Sequence, residues 1–201
     1  LGHRGVILSQ WACNTYAYKP TGQAIGHDVT FVGQPHGDRR DVIDRLTRAG
    51  VRAECWGRGW PGGRIEHDTM VAVFSTSRIN LNLSNSSTPE TSLRHRLGAL
   101  ARGRRANTAP RRSQIKGRTF EVPGCGGFLL TDRVPYLEHY FEPGREVGVY
   151  NGADDLVEQI SYWLEHEEER AAVAEAGYRR VMLEHTYDRR FESIFAQMGL
   201  G

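Results

Sequence analysis

The stretch QIKGRTFEVPGCGGFLLT, residues 114–131, predicts a short helix that runs directly into a buried strand. Pro123 and Gly124 end the helix, because proline and glycine are the poorest residues for continuing one. The apolar run GFLLT, residues 127–131, has the length and the bounding glycines of a strand. A helix that leads into a strand is the repeating unit of α/β proteins. The stretch therefore predicts an α/β fold.

The rest of the chain alternates between the same two patterns. Predicted strands are GVILSQW within 1–26, DVTFVG (28–33), VRAECWG (51–57), RINLNLS (78–84) and EVGVYN (146–151). Predicted helices are DRRDVIDRLTRAG (38–50), EHDTMVAVFSTS (66–77) and most of the chain after 151, ending with TYDRRFESIFAQM, for which Thr186 is a good N-cap. In RINLNLS the asparagines alternate with aliphatic residues, which predicts one apolar and one polar face. Strands alternating with helices predict a doubly wound, mostly parallel sheet covered on both faces.

The composition excludes several classes of protein. The chain has 201 residues, of which 39% are hydrophobic and 25% charged, as in soluble globular domains. No apolar run approaches the roughly 20 residues that cross a bilayer. The net charge of +2 is too small to indicate nucleic-acid binding by itself. Cys13, Cys55 and Cys125 contain no CxxC pair, so we expect neither a disulfide framework nor a zinc site, and a cytoplasmic location.

One segment, residues 85–113, departs from the alternation. It has no acidic residue after Glu90, and its arginines are Arg94, Arg96, Arg102, Arg104, Arg105, Arg111 and Arg112. Three interpretations stay open: a solvated insertion, a basic lip over an anionic ligand or acceptor, and a contact with nucleic acid. The segment has no interleaved aromatic residue that could stack on a base, which weighs against the last of these.

Parallel sheets bind ligands at the carboxyl ends of their strands, near the point where the strand order reverses. At the first such end, VGQPHGDRR (32–40), Gly33 could let backbone N–H groups approach a phosphate. The segment matches neither GxGxxG nor GxxxxGK[ST], which weakens a hydride-transfer or an NTPase interpretation. His36 could donate a hydrogen bond to a phosphate, or it could be an ordinary surface histidine.

The next predicted strand runs into a glycine-rich loop, WGRGWPGGR, residues 56–64. A base or a sugar could rest against the indole of Trp60, because an aromatic ring offers a flat apolar surface. The alternative is a tight turn that contains a packed aromatic residue. Both interpretations stay open from the sequence.

The helix that precedes the strand at 127–131 carries a more specific pattern. On a helix from 114, Gln114, Arg118 and Glu121 share one face, and Lys116 lies on a neighbouring side. A carboxylate can accept hydrogen bonds from both hydroxyls of a ribose, while guanidinium and ammonium groups neutralise a diphosphate. The pattern therefore fits a nucleoside diphosphate. The alternative is an Arg118–Glu121 ion pair at the surface, which stabilises little.

The order of these motifs resembles the carboxyl-terminal domain of CgeB-type (spore-maturation-protein-like) glycosyltransferases, relatives of the group 1 transferases of the GT-B fold. Residues 114–191 carry most of the resemblance, and DVTFVGQPHGDRRDVIDRL and RINLNLSNSS match the family's earlier strands. The resemblance implies a Rossmann-like domain that binds a nucleoside diphosphate sugar as its substrate. It implies no separate cofactor, and metal-independent chemistry, since the chain has no DxD motif.

The resemblance also assigns residues. Glu121 stands where group 1 transferases place a glutamate on the donor ribose, and Lys116 and Arg118 are the diphosphate partners. Gly126 and Gly127 match the turn that returns the next strand towards the donor. Many group 1 transferases carry another acidic residue eight positions before that glutamate, near the sugar, where this chain has Ser113.

The family's architecture implies the following division of the chain. Residues 1–26 are expected to be a strand and linker from an amino-terminal domain that this chain lacks, and the start without methionine suggests a piece of a longer protein or a trimmed chain. Residues 27–185 are expected to form the Rossmann-like domain, with the basic insertion 85–113. Residues 186–201 are expected to form a helix that crosses back to the absent domain or packs on its own. The acceptor could be a glycan, a protein or a small molecule.

Two rival functions remain open, and a third is poor. A GT-B-like sugar-nucleotide epimerase shares the nucleotide pocket, although the ending HTYDRRF favours a transferase. A degenerate transferase domain kept as a scaffold would also lack an acid at position 113. A receiver-type domain needs clustered acids at its strand ends, whereas the predicted ends here are Gly33, Gly57, Ser84 and Thr131.

Overall fold

A parallel five-stranded sheet forms the centre of the molecule. The computed structural model describes residues 5–84 and 114–200. Its strands are β1 (His27–Val32), β2 (Glu54–Trp56), β3 (Ser77–Asn82), β4 (Leu129–Asp132) and β5 (Gly148–Tyr150). They lie in the order β2-β1-β3-β4-β5, and every neighbouring pair is parallel. The expectation of a doubly wound parallel sheet is confirmed.

The helices follow the strands as the alternation predicts. They are α1 (Arg39–Arg48), α2 (His67–Thr76), α3 (Arg118–Gly124), α4 (Ala153–Glu165), α5 (Glu167–Glu184) and α6 (Tyr187–Met198), with one 3₁₀ turn at Leu137–His139. Thr186 caps α6, as predicted: its side chain accepts a hydrogen bond from the backbone N–H of Arg189. No helix within residues 5–84 and 114–200 is long and apolar enough to span a membrane.

The strand predicted at GVILSQW is absent. Residues 6–12 are in no strand, and Val6 and Leu8 are 72% and 97% exposed. Cys13 forms an isolated parallel bridge to Thr186, and the Trp11 carbonyl accepts a hydrogen bond from the Arg190 guanidinium at 3.2 Å. An apolar run by itself cannot form a strand without a neighbour that accepts its backbone hydrogen bonds.

Two apolar clusters cover the two faces of the sheet. Leu129 belongs to the cluster under α2, α3 and α5, while the next residue, Leu130, belongs to the cluster under α1 and α4. Neighbouring side chains thus point to opposite faces of the sheet, which is the period of two expected of a strand. Fully burying one such side chain contributes about 1.5–3 kcal/mol relative to leaving it exposed.

The asparagines of β3 are buried as well. Asn80 and Asn82 are 2% and 1% exposed, so the polar face predicted for β3 is not a solvent face. The amide of Asn82 donates to the Thr131 hydroxyl at 3.1 Å, and the amide of Asn80 donates to the Phe74 carbonyl at 3.0 Å. Helices cover both faces of this central strand, so its polar side chains are shielded from water and form hydrogen bonds with neighbouring protein groups.

The strand order opens a crevice between β1 and β3. The chain moves from β1 outwards to β2 and then returns to the other side of β1 to form β3. The connections on either side of this switch point leave in opposite directions, and their loops separate at the carboxyl ends of the two strands. The predicted basic insertion at 85–113 lies outside the described residues.

Candidate functional site

Arg39 spans the crevice at the switch point. Its guanidinium donates to the Gln34 carbonyl after β1 at 2.8 Å and to the Leu83 carbonyl after β3 at 2.7 Å. The side chain is buried, and its charge lies 5.4 Å from the centre of the Phe31 ring. Arg39 therefore joins the two strand ends and places a fixed positive charge between them.

Arg118, the first residue of α3, reaches the end of β1. Its two terminal nitrogens lie 3.3 Å from the position that a Cβ on Gly33 would occupy. Burial lowers the pKa of the guanidinium, whereas the nearby Glu121 raises it. An arginine remains charged in either case, so α3 places a second cation beside the crevice.

Lys116 is half-buried beside the same cations. Burial, Arg39 and Arg118 together lower its pKa to about 8, and Asp132 opposes them. Positive charges that depress one another's pKa in this way create a strong local potential for an anion. A di-anionic group in the crevice would relieve that repulsion.

Asp132 supplies a carboxylate at the same edge. The Ser84 backbone N–H donates to one of its oxygens at 3.0 Å, and the Ser84 hydroxyl donates to the other. These bonds join the ends of β3 and β4. Burial raises the pKa of Asp132, and the bonds from Ser84 and the charge of Lys116 oppose that rise.

Glu121 lies one turn further along α3 and faces the same edge. Its Oε1 folds back to within 2.8 Å of the position that a Cβ on Gly117 would occupy, as the lean of helical side chains towards the N-terminus requires. Burial raises the pKa of this carboxyl, while Arg118, a hydrogen bond from the Tyr18 hydroxyl and His67 lower it. The carboxylate is thus held among donors and stays partly open to solvent.

The structure brings Arg118, Lys116 and Glu121 together, as the sequence predicts, but not by the predicted helix. Lys116 and Gln114 precede α3, which begins at Arg118, so the predicted shared face from Gln114 to Glu121 is wrong. Gln114 is exposed and lines a different groove, with Trp11 and Tyr136. Gly117 is the N-cap residue of α3 and has helical dihedral angles, with φ −49° and ψ −42°.

The glycine turn after β1 serves packing more than hydrogen bonding. The N–H of Gly33 itself donates to the Trp56 carbonyl at 2.7 Å, and the approach of the turn's other N–H groups to a phosphate stays a prediction. A Cβ on Gly33 would lie 2.9 Å from the Phe31 ring and 3.3 Å from the Arg118 guanidinium, so a side chain there would displace one of them. His36 is exposed in the following turn, where a ligand could reach it.

Trp60 is the packed aromatic residue of a tight turn, the second of the two interpretations of the loop at 56–64. It is 9% exposed, its indole N–H donates to the Gly33 carbonyl at 2.7 Å, and its ring meets Phe31 edge-on at 6.1 Å. The guanidinium of Arg40 lies 5.2 Å from the ring centre. The tryptophan therefore secures the loop after β2 against β1.

Gly126 and Gly127 lie at the opposite edge of the sheet from the crevice. They connect the end of α3 to the start of β4, and a Cβ on Gly127 would overlap the Phe74 carbonyl at the end of α2. Gly126 has a φ of +74°, the left-handed conformation that glycine adopts readily. Their placement at the amino-terminal edge corrects the expectation that they contact the donor.

Three residues of the site were not singled out from the sequence: Arg39, Asp132 and Tyr18. Arg39 follows the turn at Gly37 as the first residue of α1, and a cation directly after a glycine turn was an available signal. Asp132 extends the predicted strand by a single residue. Tyr18 gave no local signal, because its contact with Glu121 is purely tertiary. Among residues 5–84 and 114–200, no group of three or more His, Cys, Asp or Glu side chains could hold a metal ion.

The comparison with known families agrees with this geometry. A family model described as glycosyl transferase-like matches residues 39–196, well over half of the chain. The chain belongs to the glycosyl transferase-like family. The match in this glycosyl transferase-like domain includes Lys116, Arg118 and Glu121 but stops short of Tyr18.

This glycosyl transferase-like domain is also similar to individual proteins. Over 76 residues it is 30% identical to spore protein CgeB of Bacillus subtilis (strain 168), which covers 38% of this chain and 22% of CgeB. Its fold is similar to the C-terminal domain of the group 1 glycosyl transferase LpcC of Francisella tularensis, with a TM-score of 0.53 at 8% identity over 86% of this chain and 98% of that one. The predicted resemblance to one half of a GT-B transferase is confirmed at the level of the fold.

A third relative was solved with a nucleotide. Alr3699/HepE of Anabaena, in complex with UDP, is similar with a TM-score of 0.56 at 12% identity over 92% of this chain and 43% of that one. The chain thus spans less than half of HepE and about a fifth of CgeB. At these identities the structural likenesses show the fold alone.

Proposed function

We propose that this domain binds a nucleoside diphosphate sugar at the carboxyl edge of its sheet, as the donor-binding half of a glycosyltransferase. The observation that carries the proposal is the placement of Arg118 and Glu121 one helical turn apart on α3, with the Arg118 guanidinium beside Gly33 at the end of β1 and the Glu121 carboxylate turned back towards Gly117. A cation and a carboxylate in this order match the diphosphate and the ribose of one ligand. The family match supports the same class of activity.

The diphosphate is assigned to the cations. Arg118 offers a planar fork of donors to phosphate oxygens, and Lys116 adds a compact charge beside it. During transfer the bond from the anomeric carbon of the sugar to the diphosphate oxygen breaks, and an acceptor oxygen takes its place on that carbon. The departing diphosphate gains negative charge, which fixed cations stabilise more in the transition state than in the ground state.

The ribose is assigned to Glu121. An ionised carboxylate has two oxygens with about four acceptor positions, enough for both hydroxyls of a ribose. The neighbouring Arg118 helps to keep the carboxyl ionised despite its burial. In this proposal the acceptor, whether a glycan, a protein or a small molecule, approaches from a facing amino-terminal domain of the GT-B kind.

Calorimetric titration of the 201-residue chain with UDP, GDP, ADP and their sugars tests the proposal. We expect one nucleoside diphosphate to bind, and Glu121→Ala and Arg118→Ala each to weaken it by about tenfold or more, since each loses charge-assisted hydrogen bonds. Glu158→Ala is the matched control, because this glutamate is exposed on α4.

Two outcomes would overturn the assignment. If no nucleotide binds at millimolar concentration, the crevice is not a donor site. If Glu121→Ala binds as tightly as the unaltered chain, the ribose assignment is wrong. A sugar nucleotide whose stereochemistry changes without an acceptor, followed by NMR, would favour the epimerase instead.

A further inference from the structure

A groove of about 830 Å³ borders the candidate donor site near the end of β4. Gln114 lines this groove and stands two residues before Lys116 in the chain. Residues of the segment 135–140, which follows β4, and of the N-terminal segment 8–11 line it as well. Its volume lies within the range of small-molecule sites, roughly 300–1,000 Å³.

Two aromatic side chains of the groove are largely exposed. Trp11 is 56% exposed and Tyr136 is 68% exposed. The Tyr136 ring lies 5.4 Å from the ring of His139, which lines the groove beside it. An aromatic ring offers a large flat apolar surface, and in a concave site such surfaces are where a ligand gains most from burial.

The backbone of Tyr136 is strained. Its φ is +69°, and among residues 5–84 and 114–200 it is the only residue other than glycine with a positive φ. A bulky side chain in the left-handed region costs free energy, and such strain clusters at ligand sites. The Tyr136 carbonyl accepts the His139 N–H at 3.2 Å within the 3₁₀ turn that follows. The turn thus holds the strained residue in place.

Hydrogen bonds from the α5–α6 region secure two walls of the groove. The Tyr140 carbonyl accepts from Nε2 of His185 at 2.7 Å and from Nε of Arg180 at 3.0 Å. The Trp11 carbonyl accepts from the Arg190 guanidinium at 3.2 Å. The described residues that line the groove include no Asp, Glu, Lys or Arg. The groove is therefore uncharged, although the adjoining donor site carries both cations and carboxylates.

We propose that this groove binds a neutral saccharide unit of the acceptor, with Trp11 and Tyr136 against the C–H faces of its rings and Gln114 at its hydroxyls. Its role as acceptor rests on the proposed function, whereas the binding of a saccharide does not. A sugar hydroxyl both donates and accepts hydrogen bonds, and so does a glutamine amide. A groove without charged side chains suits an uncharged ligand, since it offers a charged one no partner in exchange for water.

Tryptophan fluorescence and calorimetry of the 201-residue chain test the proposal. The probes are neutral di- to tetrasaccharides of glucose, galactose, mannose and N-acetylglucosamine, with tetragalacturonate and an uncharged peptide of similar length for comparison. We expect one neutral series to bind with a Kd of about 1 mM. Trp11 is the most exposed tryptophan of the chain, so a saccharide that covers it should shift the emission to shorter wavelengths.

Variants separate binding from packing. Trp11→Ala and Tyr136→Gly should each weaken the saccharide by about fivefold or more, because each removes a ring from the groove. Glycine adopts the φ of Tyr136 readily, so the unfolding temperature of Tyr136→Gly should not fall although its affinity does. Tyr16→Ala is the matched control: this aromatic residue of the N-terminal segment is 84% exposed and lies outside the lining of the groove.

Three results would overturn the inference: no binding of any neutral saccharide, equal binding of tetragalacturonate or the peptide, or unchanged affinity in either groove variant. Nucleotide titrations of the same chain keep the two proposals apart. A chain that binds a nucleotide but no saccharide refutes the groove alone. A chain that binds a saccharide but no nucleotide supports the saccharide site and refutes the donor site.

Discussion

At the residue scale, the site combines three neighbouring cations, Arg39, Lys116 and Arg118, with the carboxylates of Asp132 and Glu121. Arg39 and Arg118 both depress the pKa of Lys116, and Arg118 also depresses that of Arg39. Such repulsion is tolerated only where other interactions secure the groups, and the two carbonyl bonds of Arg39 do so here. These neighbouring cations favour the binding of an anion beside them.

Lys116 predicts weaker nucleotide binding at alkaline pH. Its pKa of about 8 means that its charge is present below pH 8 and is lost as the pH rises further. The affinity for a nucleoside diphosphate should therefore fall by roughly fivefold between pH 7 and pH 9. Lys116→Met should be weak throughout, with no such fall. The control is Lys19→Gln, at the chain's other lysine, which should show the same pH dependence as the unaltered protein. If the affinity of Lys116→Met still falls between pH 7 and pH 9, the loss of charge on Lys116 is not the cause.

Glu121 predicts a second loss of affinity on the acidic side. Burial raises the pKa of this carboxyl, so protonation begins at a higher pH than for an ordinary glutamate. A protonated carboxyl accepts fewer hydrogen bonds from the ribose, and affinity should decline as the pH falls through this pKa. Titrations of the unaltered chain and Glu121→Gln at each pH isolate this effect, because the nucleotide's own titration is common to both. Parallel pH profiles would contradict the prediction.

At the element scale, the short helix α3 determines where the functional side chains lie. Its existence and its end at Pro123 and Gly124 follow from the sequence, because local backbone preferences suffice to stop a helix. Its start does not: the pattern from Gln114 suggested a longer helix, whereas α3 begins at Arg118 with Gly117 as its N-cap residue.

The connection from α3 to β4 predicts a steric requirement for glycine at position 127. A Cβ there would overlap the Phe74 carbonyl, which rigid backbone cannot move aside. We expect Gly127→Ala to lower the free energy of unfolding by about 1–3 kcal/mol, measured by urea denaturation. Gly26→Ala, where a Cβ meets nothing within 4 Å, should change it by less than about 0.5 kcal/mol. Equal effects at the two positions would show that the overlap is not the cause.

At the scale of the whole molecule, the sheet and its two apolar clusters account for the core, and α6 lies outside it. No residue within α6 is buried, and Phe191 and Phe195 are 49% and 47% exposed. The alternative that this apolar stripe packs on its own domain is therefore not what the structure shows. Its predicted role in crossing to a facing domain stays a prediction.

The exposed face of α6 predicts that its aromatic residues contribute little to the stability of this domain. The double change Phe191→Ser and Phe195→Ser should leave the urea midpoint almost unaltered, because surface substitutions rarely exceed about 0.5 kcal/mol. Phe74→Ala, at a residue that is 1% exposed, should cost about 3–5 kcal/mol. A comparable loss in the two experiments would mean that α6 does pack on the domain in solution.

The sequence by itself determined the alternation of strands and helices, because the periods of two and 3.6 and the breakers Pro and Gly act locally. It also indicated Arg118 and Glu121, whose spacing on a helix needs no tertiary information. Only the tertiary structure decided that Arg39 and Asp132 join them and that Trp60 is packed, since these depend on which strand ends become neighbours. Tyr18 depends on it entirely, because a contact between distant segments leaves no periodicity in either.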